Sequence, residues 1–260
     1  MVNNKKDQIK NLINSGSELA GGAIGGALGF FAAGPIGAGA FGAGGVLISK
    51  TLSYIGNELS LRFLGPREEI RVGATLAIAA KKINERLEKG DIIRSDDFFD
   101  MNSSGRSKAE EIAESVLLKS QKEAEEKKIP FLANLLVNIS FSSEISVELG
   151  QQMIKTVDSL TYRQLCILSL AVNKWREQLR KTNYHEHKAF ERDLYQILHE
   201  CIDLYNRAFI KFGNTAILGL TDMNPSTIAI QGLGVDIYNW AQLNEIPFSD
   251  IEPIVNVLSK

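Results

Sequence analysis

The sequence predicts a mainly α-helical protein, and three observations carry that prediction. Apolar and small residues recur at helical spacing after Gly65, as in Ile70, Ala74, Ala77, Ala80, Ile83 and Leu87. Helix-start residues stand where such stripes begin: Pro66, Ser107 followed three positions on by Glu110, and Pro130. Only residues 216–230 break into short β-prone runs. The expected organisation is a glycine-rich helical hairpin over residues 1–60, a helical regulatory region over 61–159, and a winged-helix-like interaction module with a small β-hairpin over 160–260.

The first element is an uncharged run, Leu19–Ser49, bounded by Glu18 and Lys50. Gly21, Gly25 and Gly29 fall four apart, with Gly22 and Gly26 beside them, and a second small-residue row follows at Gly34, Ala38 and Gly42. Rows of this kind let helix backbones approach closely, as in membrane helix pairs. A straight helix of about 31 residues would be roughly 46 Å long, against a hydrocarbon slab of about 30 Å. Pro35 lacks an amide hydrogen and breaks it after Gly34. Two arms result, about Ser17–Ala33 and Ile36–Ile55, of roughly 25 and 30 Å. Lys50 would reach an interface with its stem. Phe30, Phe31, Ile36 and Phe41 would face lipid or a partner.

Energetics make this hairpin conditional. Each interior glycine costs a helix about 1 kcal/mol relative to alanine, and about a dozen lie between Gly16 and Gly45, a total of order 10 kcal/mol. Packing against itself, a sister copy or the protein body must offset that cost. Competing readings are a buried hairpin in a soluble core, a glycine-rich tail, and a secretory signal preceded by Lys5, Lys6 and Lys10. The run is too long and too glycine-rich for the last, and no clear cleavage site follows it. Gly37–Gly42 matches G-x-G-x-x-G, and Gly44–Thr51 nearly matches a P-loop. Neither has the strand–turn–helix setting that such phosphate loops need.

Met1–Gly16 reads as a solvated tail of mixed charge. Pro66 opens a helix with Glu68 and Glu69 in its first turn, where carboxylates complement the helix dipole, and Gly90 ends it. Residues 91–106 read as a loop pinned by Phe98 and Phe99; Asp96, Asp97 and Asp100 lack the glycine and glutamate of a calcium-binding hand. A helix follows from Ser107 to about Lys128, its charge-dense end, Lys119–Lys128, read as a solvated face. Pro130 opens Phe131–Phe141, striped by Leu132, Leu135, Leu136 and Ile139, and Val147–Val157 is a shorter helix. Leu160-Thr161 caps a helix to about Lys181 with Leu165, Leu168, Leu170 and Val172 inward. A polar connection leads to a long helix, Ala189–Lys211. Ala216–Leu220 and Thr227–Ile230 then read as a hairpin, before helices at Val235–Leu243 and Ser249–Leu258.

Ile129-Pro130-Phe131-Leu132-Ala133-Asn134-Leu135-Leu136, then Leu160-Thr161, Ile167-Leu168 and Gly219-Leu220-Thr221 with Gly232 or Gly234, resemble the abortive-infection alpha family of bacterial defence proteins. The resemblance spans roughly Lys108–Leu243 and leaves out the glycine run. It implies a phage-defence or toxin-like role and brings no catalytic residues with it.

No enzyme chemistry is recognisable. His199 and Cys201 would point about 200° apart on one helix, so they cannot aim at one metal, and His185 and His187 sit in a polar connection. No cofactor or metal is expected. A net charge of −2 and a pI near 6.0 give no basic footprint for nucleic acid. The residues of the expected wing, 215–230, include no Lys or Arg for phosphate contact. Cys166 and Cys201 are the two cysteines and suggest buried thiols in a reducing compartment. The functional expectation is a cytoplasmic effector that moves its hairpin into the inner membrane. Its expected partners are membrane lipid, further copies of itself, and a regulatory protein at the C-terminal module. The alternatives are a soluble scaffold with the hairpin in its core and a static membrane-anchored adaptor.

Overall fold

The computed structural model describes Thr51 and residues 64–260. The chain is mainly helical, with eight α-helices among the described residues and one two-stranded antiparallel sheet near the C-terminus. It divides into two compact units, the first ending at Ser159 and the second running from Leu160 to Lys260.

In the first unit, α1 (Pro66–Glu88) begins on proline, and the Gly65 amide donates to the Glu68 carboxylate at 2.7 Å. α2 (Lys108–Lys122) starts on a capping box: the Glu110 amide donates to Ser107 Oγ at 3.2 Å, and the Ser107 amide to the Glu110 carboxylate at 3.0 Å. α3 (Ile129–Phe141) is the central element. It packs on α1, α2 and α4 (Val147–Ser159), and every residue in it but Pro130 is buried. The expected single stripe is therefore an all-round core. Gly150 lets α4 come close: a Cβ there would lie 3.1 Å from Ile139 Cδ1 and 3.2 Å from Ile112 Cδ1.

The connection 91–106 is tied down as expected through Phe98, which is 1% exposed and meets Phe99 edge-on at 5.0 Å. Arginine adds a second tie. Arg94 lies over the Phe98 ring, forks onto Asp96, and donates to the carbonyls of Ile139 and Ile145. One expectation fails here. Lys119–Lys128 is not one solvated helical face: α2 stops at Lys122, Glu123 turns extended, and Glu123 and Lys128 are buried as an ion pair.

The second unit is built on α5 (Tyr162–Leu170), whose residues Gln164–Leu170 are all buried. Thr161 caps it, reciprocally with Gln164. The helix ends at Leu170, well short of Lys181, because Ala171 to Asn173 turn, and the Asn173 side chain caps a 3-10 turn at Lys174–Gln178. Val172 is consequently exposed. Trp175 of that turn stacks on Phe248 with ring centroids 4.0 Å apart.

α6 (Arg192–Asn206) ends in a Schellman-type turn, with Ala208 left-handed at φ 57 and the Phe209 amide returning to the Leu204 carbonyl. β1 (Ile210–Phe212) follows at once and pairs antiparallel with β2 (Ile228–Ile230), Ile210 opposite Ile230 and Phe212 opposite Ile228. The second expected strand is thus observed, but its partner is Ile210–Phe212 and not Ala216–Leu220. The latter is held as a loop, because Asp222 Oδ2 accepts from the amides of Leu218 and Gly219. α7 (Leu233–Trp240) and α8 (Phe248–Leu258) pack on α5. Among the described residues no helix is long and apolar enough to cross a membrane.

Candidate functional site

The residues that the sequence marks as the membrane or oligomer contact, Gly21, Gly22, Gly25, Gly26, Gly29, Phe30, Phe31, Gly34, Pro35, Ile36, Phe41 and Gly42, lie outside the described residues. Thr51 belongs to the second expected arm and is described: it is helical and 8% exposed.

The element that the run leads into is α1. Val72–Ala79 are buried without interruption, so the middle of this helix is shielded around its whole circumference. Polar anchors hold it at both ends. Near its start Arg67 and Arg71 share the Glu126 carboxylate, and Arg71 also donates to the Gln121 carbonyl at 3.3 Å. Near its end Arg86 donates to Asn138 Oδ1 at 3.0 Å, pairs with Asp91, and lies over the Phe141 ring. At 100° per residue, Arg71 and Arg86 share one side of the helix, and Gly73 and Ala77 lie on the other. Helix α1 is thereby fixed to the end of α2, to α3, and to the loops on either side of α2.

In the second unit, the connection after the 3-10 turn is organised by Arg180. Its amide donates to the Leu258 carbonyl and its guanidinium to the Lys260 carbonyl, both at 2.9 Å; its own carbonyl accepts from the Ser226 amide. The guanidinium also lies over the Tyr184 ring at 5.1 Å. Tyr184 is fully buried, its hydroxyl has no hydrogen-bond partner among the described residues, and burial pushes its pKa up to about 12. His185 Nε2 meets Asp222 Oδ1 at 2.8 Å, and the same carboxylate caps the Leu218 and Gly219 amides. These contacts, His185 first, hold the Asp222 pKa below the ordinary carboxylate value. Leu218 is left 91% exposed on this pinned loop.

The histidine and cysteine residues do not converge. His187 stacks on Phe190, His199 stacks on Tyr195, and Cys201 is buried, its thiol pushed up to about 12 by desolvation. Among the described residues no group of three or more His, Cys, Asp and Glu side chains could hold a metal ion.

Sequence reading did not single out the pairing residues Arg94, Arg180, Glu123 and Lys128. Charged residues on a polar connection or a mixed-charge helix end look solvent-facing one at a time; Glu123 and Asp96 stand near Lys128 and Arg94 in the sequence, but the carbonyls that these cations and Arg180 also reach, Asp158, Ile139, Ile145 and Lys260, lie far along the chain. No protein-family model matches the sequence, and no curated protein or solved structure shows significant similarity to it.

Proposed function

We propose that the protein is a bacterial toxin-like defence effector. It holds its glycine-zipper hairpin in a stored form in the cytoplasm and inserts it into the inner membrane on a trigger. The observation that carries this reading is the four-residue spacing of Gly21, Gly25 and Gly29 inside an uncharged run long enough for two membrane-length arms. The glycine penalty makes the inserted hairpin depend on close packing, so several copies associate through the glycine faces and breach the bilayer. The helix-then-strand order of α6, β1 and β2 supports a winged-helix-like second unit that receives a regulatory protein. The acidic balance of the chain speaks against nucleic acid as that partner.

The test is expression in bacteria alongside dye leakage from liposomes. Gly25→Leu removes both lethality and leakage while circular dichroism of the helical body is unchanged. Full lethality from that variant, or from a chain lacking residues 17–55, refutes the mechanism. A second reading draws on the burial of Thr51: the run is interior packing of a soluble scaffold. Fractionation after lethal expression separates the two, since a scaffold stays out of the membrane fraction. An anchored adaptor would sit in that fraction without leakage.

A further inference from the structure

α2 and α4 run side by side in the same direction, as shown by the links Ser115 to Gln151 and Lys119 to Asp158. Between them lies an open cavity of about 450 Å³ lined by Ser115, Lys119, Gln151, Gln152 and Lys155. That volume falls within the roughly 300–1,000 Å³ range of ligand sites. Its chemistry is one-sided. Ser115 Oγ donates to Gln151 Oε1 at 2.7 Å, which occupies an acceptor on that amide and leaves its N–H donors for the cavity. Lys119 is neutralised by Asp158 at 2.6 Å, but Lys155 is exposed and makes no ion pair among the described residues.

The groove therefore offers the amide donors of Gln151 and Gln152 and, with Lys119 paired to Asp158, the one uncompensated ammonium of Lys155 among its lining residues. Asp158 shows what the groove accepts, since a carboxylate from this chain already sits on Lys119. The lining comes from two parallel helices and lies open to solvent, a shape that suits an extended or helical segment better than an enclosed small molecule. We propose that this groove docks an acidic segment of a partner protein. Ligand carboxylates pair with Lys155 and compete with Asp158 for Lys119, and the amides of Gln151 and Gln152 donate to the segment.

Binding is measured on the full chain by fluorescence anisotropy with a fluorescein-labelled peptide of alternating Asp and Glu, and with its Asn/Gln counterpart. The acidic peptide binds and the amide peptide does not, and raising salt from about 50 to about 300 mM weakens binding. Lys155→Glu lowers affinity by about tenfold or more, while Lys174→Glu in the second unit leaves it unchanged. Lys155 is exposed and makes no ion pair among the described residues, so its reversal spares the fold. Equal binding by wild type and Lys155→Glu overturns the proposal, as does failure of the wild type to bind. Inorganic phosphate displacing the peptide at equal concentration would also overturn it, in favour of a small-anion site. None of these readouts involves lipid, so the proposal stands or falls apart from the membrane reading.

Discussion

Lys128 and Glu123 face each other at 2.6 Å with side chains only 2% and 7% exposed. The ammonium also donates to the Asp158 carbonyl at 3.0 Å, and the carboxylate accepts from the Glu125 amide at 2.8 Å. The pair thus ties the turn between α2 and α3 to the last turn of α4. Desolvating both charges is costly, and the pair holds because each partner compensates the other and keeps further hydrogen bonds.

Removing one partner leaves the other charge buried and uncompensated. Lys128→Met is expected to lower stability by about 3–5 kcal/mol. Joining it with Glu123→Leu should recover most of that loss, because an apolar pair costs no ion desolvation. Urea unfolding of the two variants decides the point. A single substitution costing less than about 1 kcal/mol would mean that water reaches the pair.

Gly234, in the first turn of α7, lies against backbone. A Cβ there would stand 2.3 Å from the Phe209 carbonyl oxygen and 3.0 Å from its carbon, and that oxygen also accepts from the Gln231 amide. Backbone fixed by the α6 turn and the sheet cannot step aside, so Gly234→Ala should destabilise by about 2 kcal/mol or more. Gly150→Ala is the contrast. Its neighbours are the tips of Ile112 and Ile139, which can shift, and its cost should stay near or below about 1 kcal/mol. Thermal melts of both variants test the ordering.

Both cysteines are buried, and desolvation favours the neutral thiol of Cys201. Neither should react with a thiol reagent in the native protein at pH 8, and both should react in denaturant. The unfolded thiol ionises near pH 8.5, while burial pushes the folded one up to about 12. The stability this gives is full below the unfolded pKa and is lost as pH rises from there through the folded value. The urea midpoint should therefore fall between about pH 8.5 and 10, and Cys201→Ala should flatten part of that fall. An unchanged slope in that variant would argue that another group titrates there.

Helix starts were legible because their signals are local. Pro66, the Ser107–Glu110 box and the Thr161–Gln164 box each act within one turn, and each stands where the helix begins. Helix ends were less legible. Nothing in the apolar spacing through Val172 announces a stop at Leu170; the stop depends on the Asn173 cap and on the seat of Trp175 against Phe248. The strand pairing failed for a related reason. Ala216–Leu220 has β-prone composition, but Asp222 takes its amides, and Phe212 is the residue that meets Ile228. The candidate groove had no motif at all, since Ser115, Lys119, Gln151 and Lys155 are ordinary helix-surface residues until two helices are set side by side.

Although α6 and α7 begin at Arg192 and Leu233 and not at Ala189 and Val235, the sequence by itself determined the helical class, the cap-marked starts of α1, α2 and α5, and the peculiarity of the glycine run. All of these follow from short-range sterics and hydrogen bonding within a turn or two. Only the tertiary structure decided which charges are buried, which strands pair and where donors gather into a groove. Each of those depends on packing between distant parts of the chain: even Glu123 and Lys128, five residues apart, are buried together only because α4 brings the Asp158 carbonyl onto the ammonium.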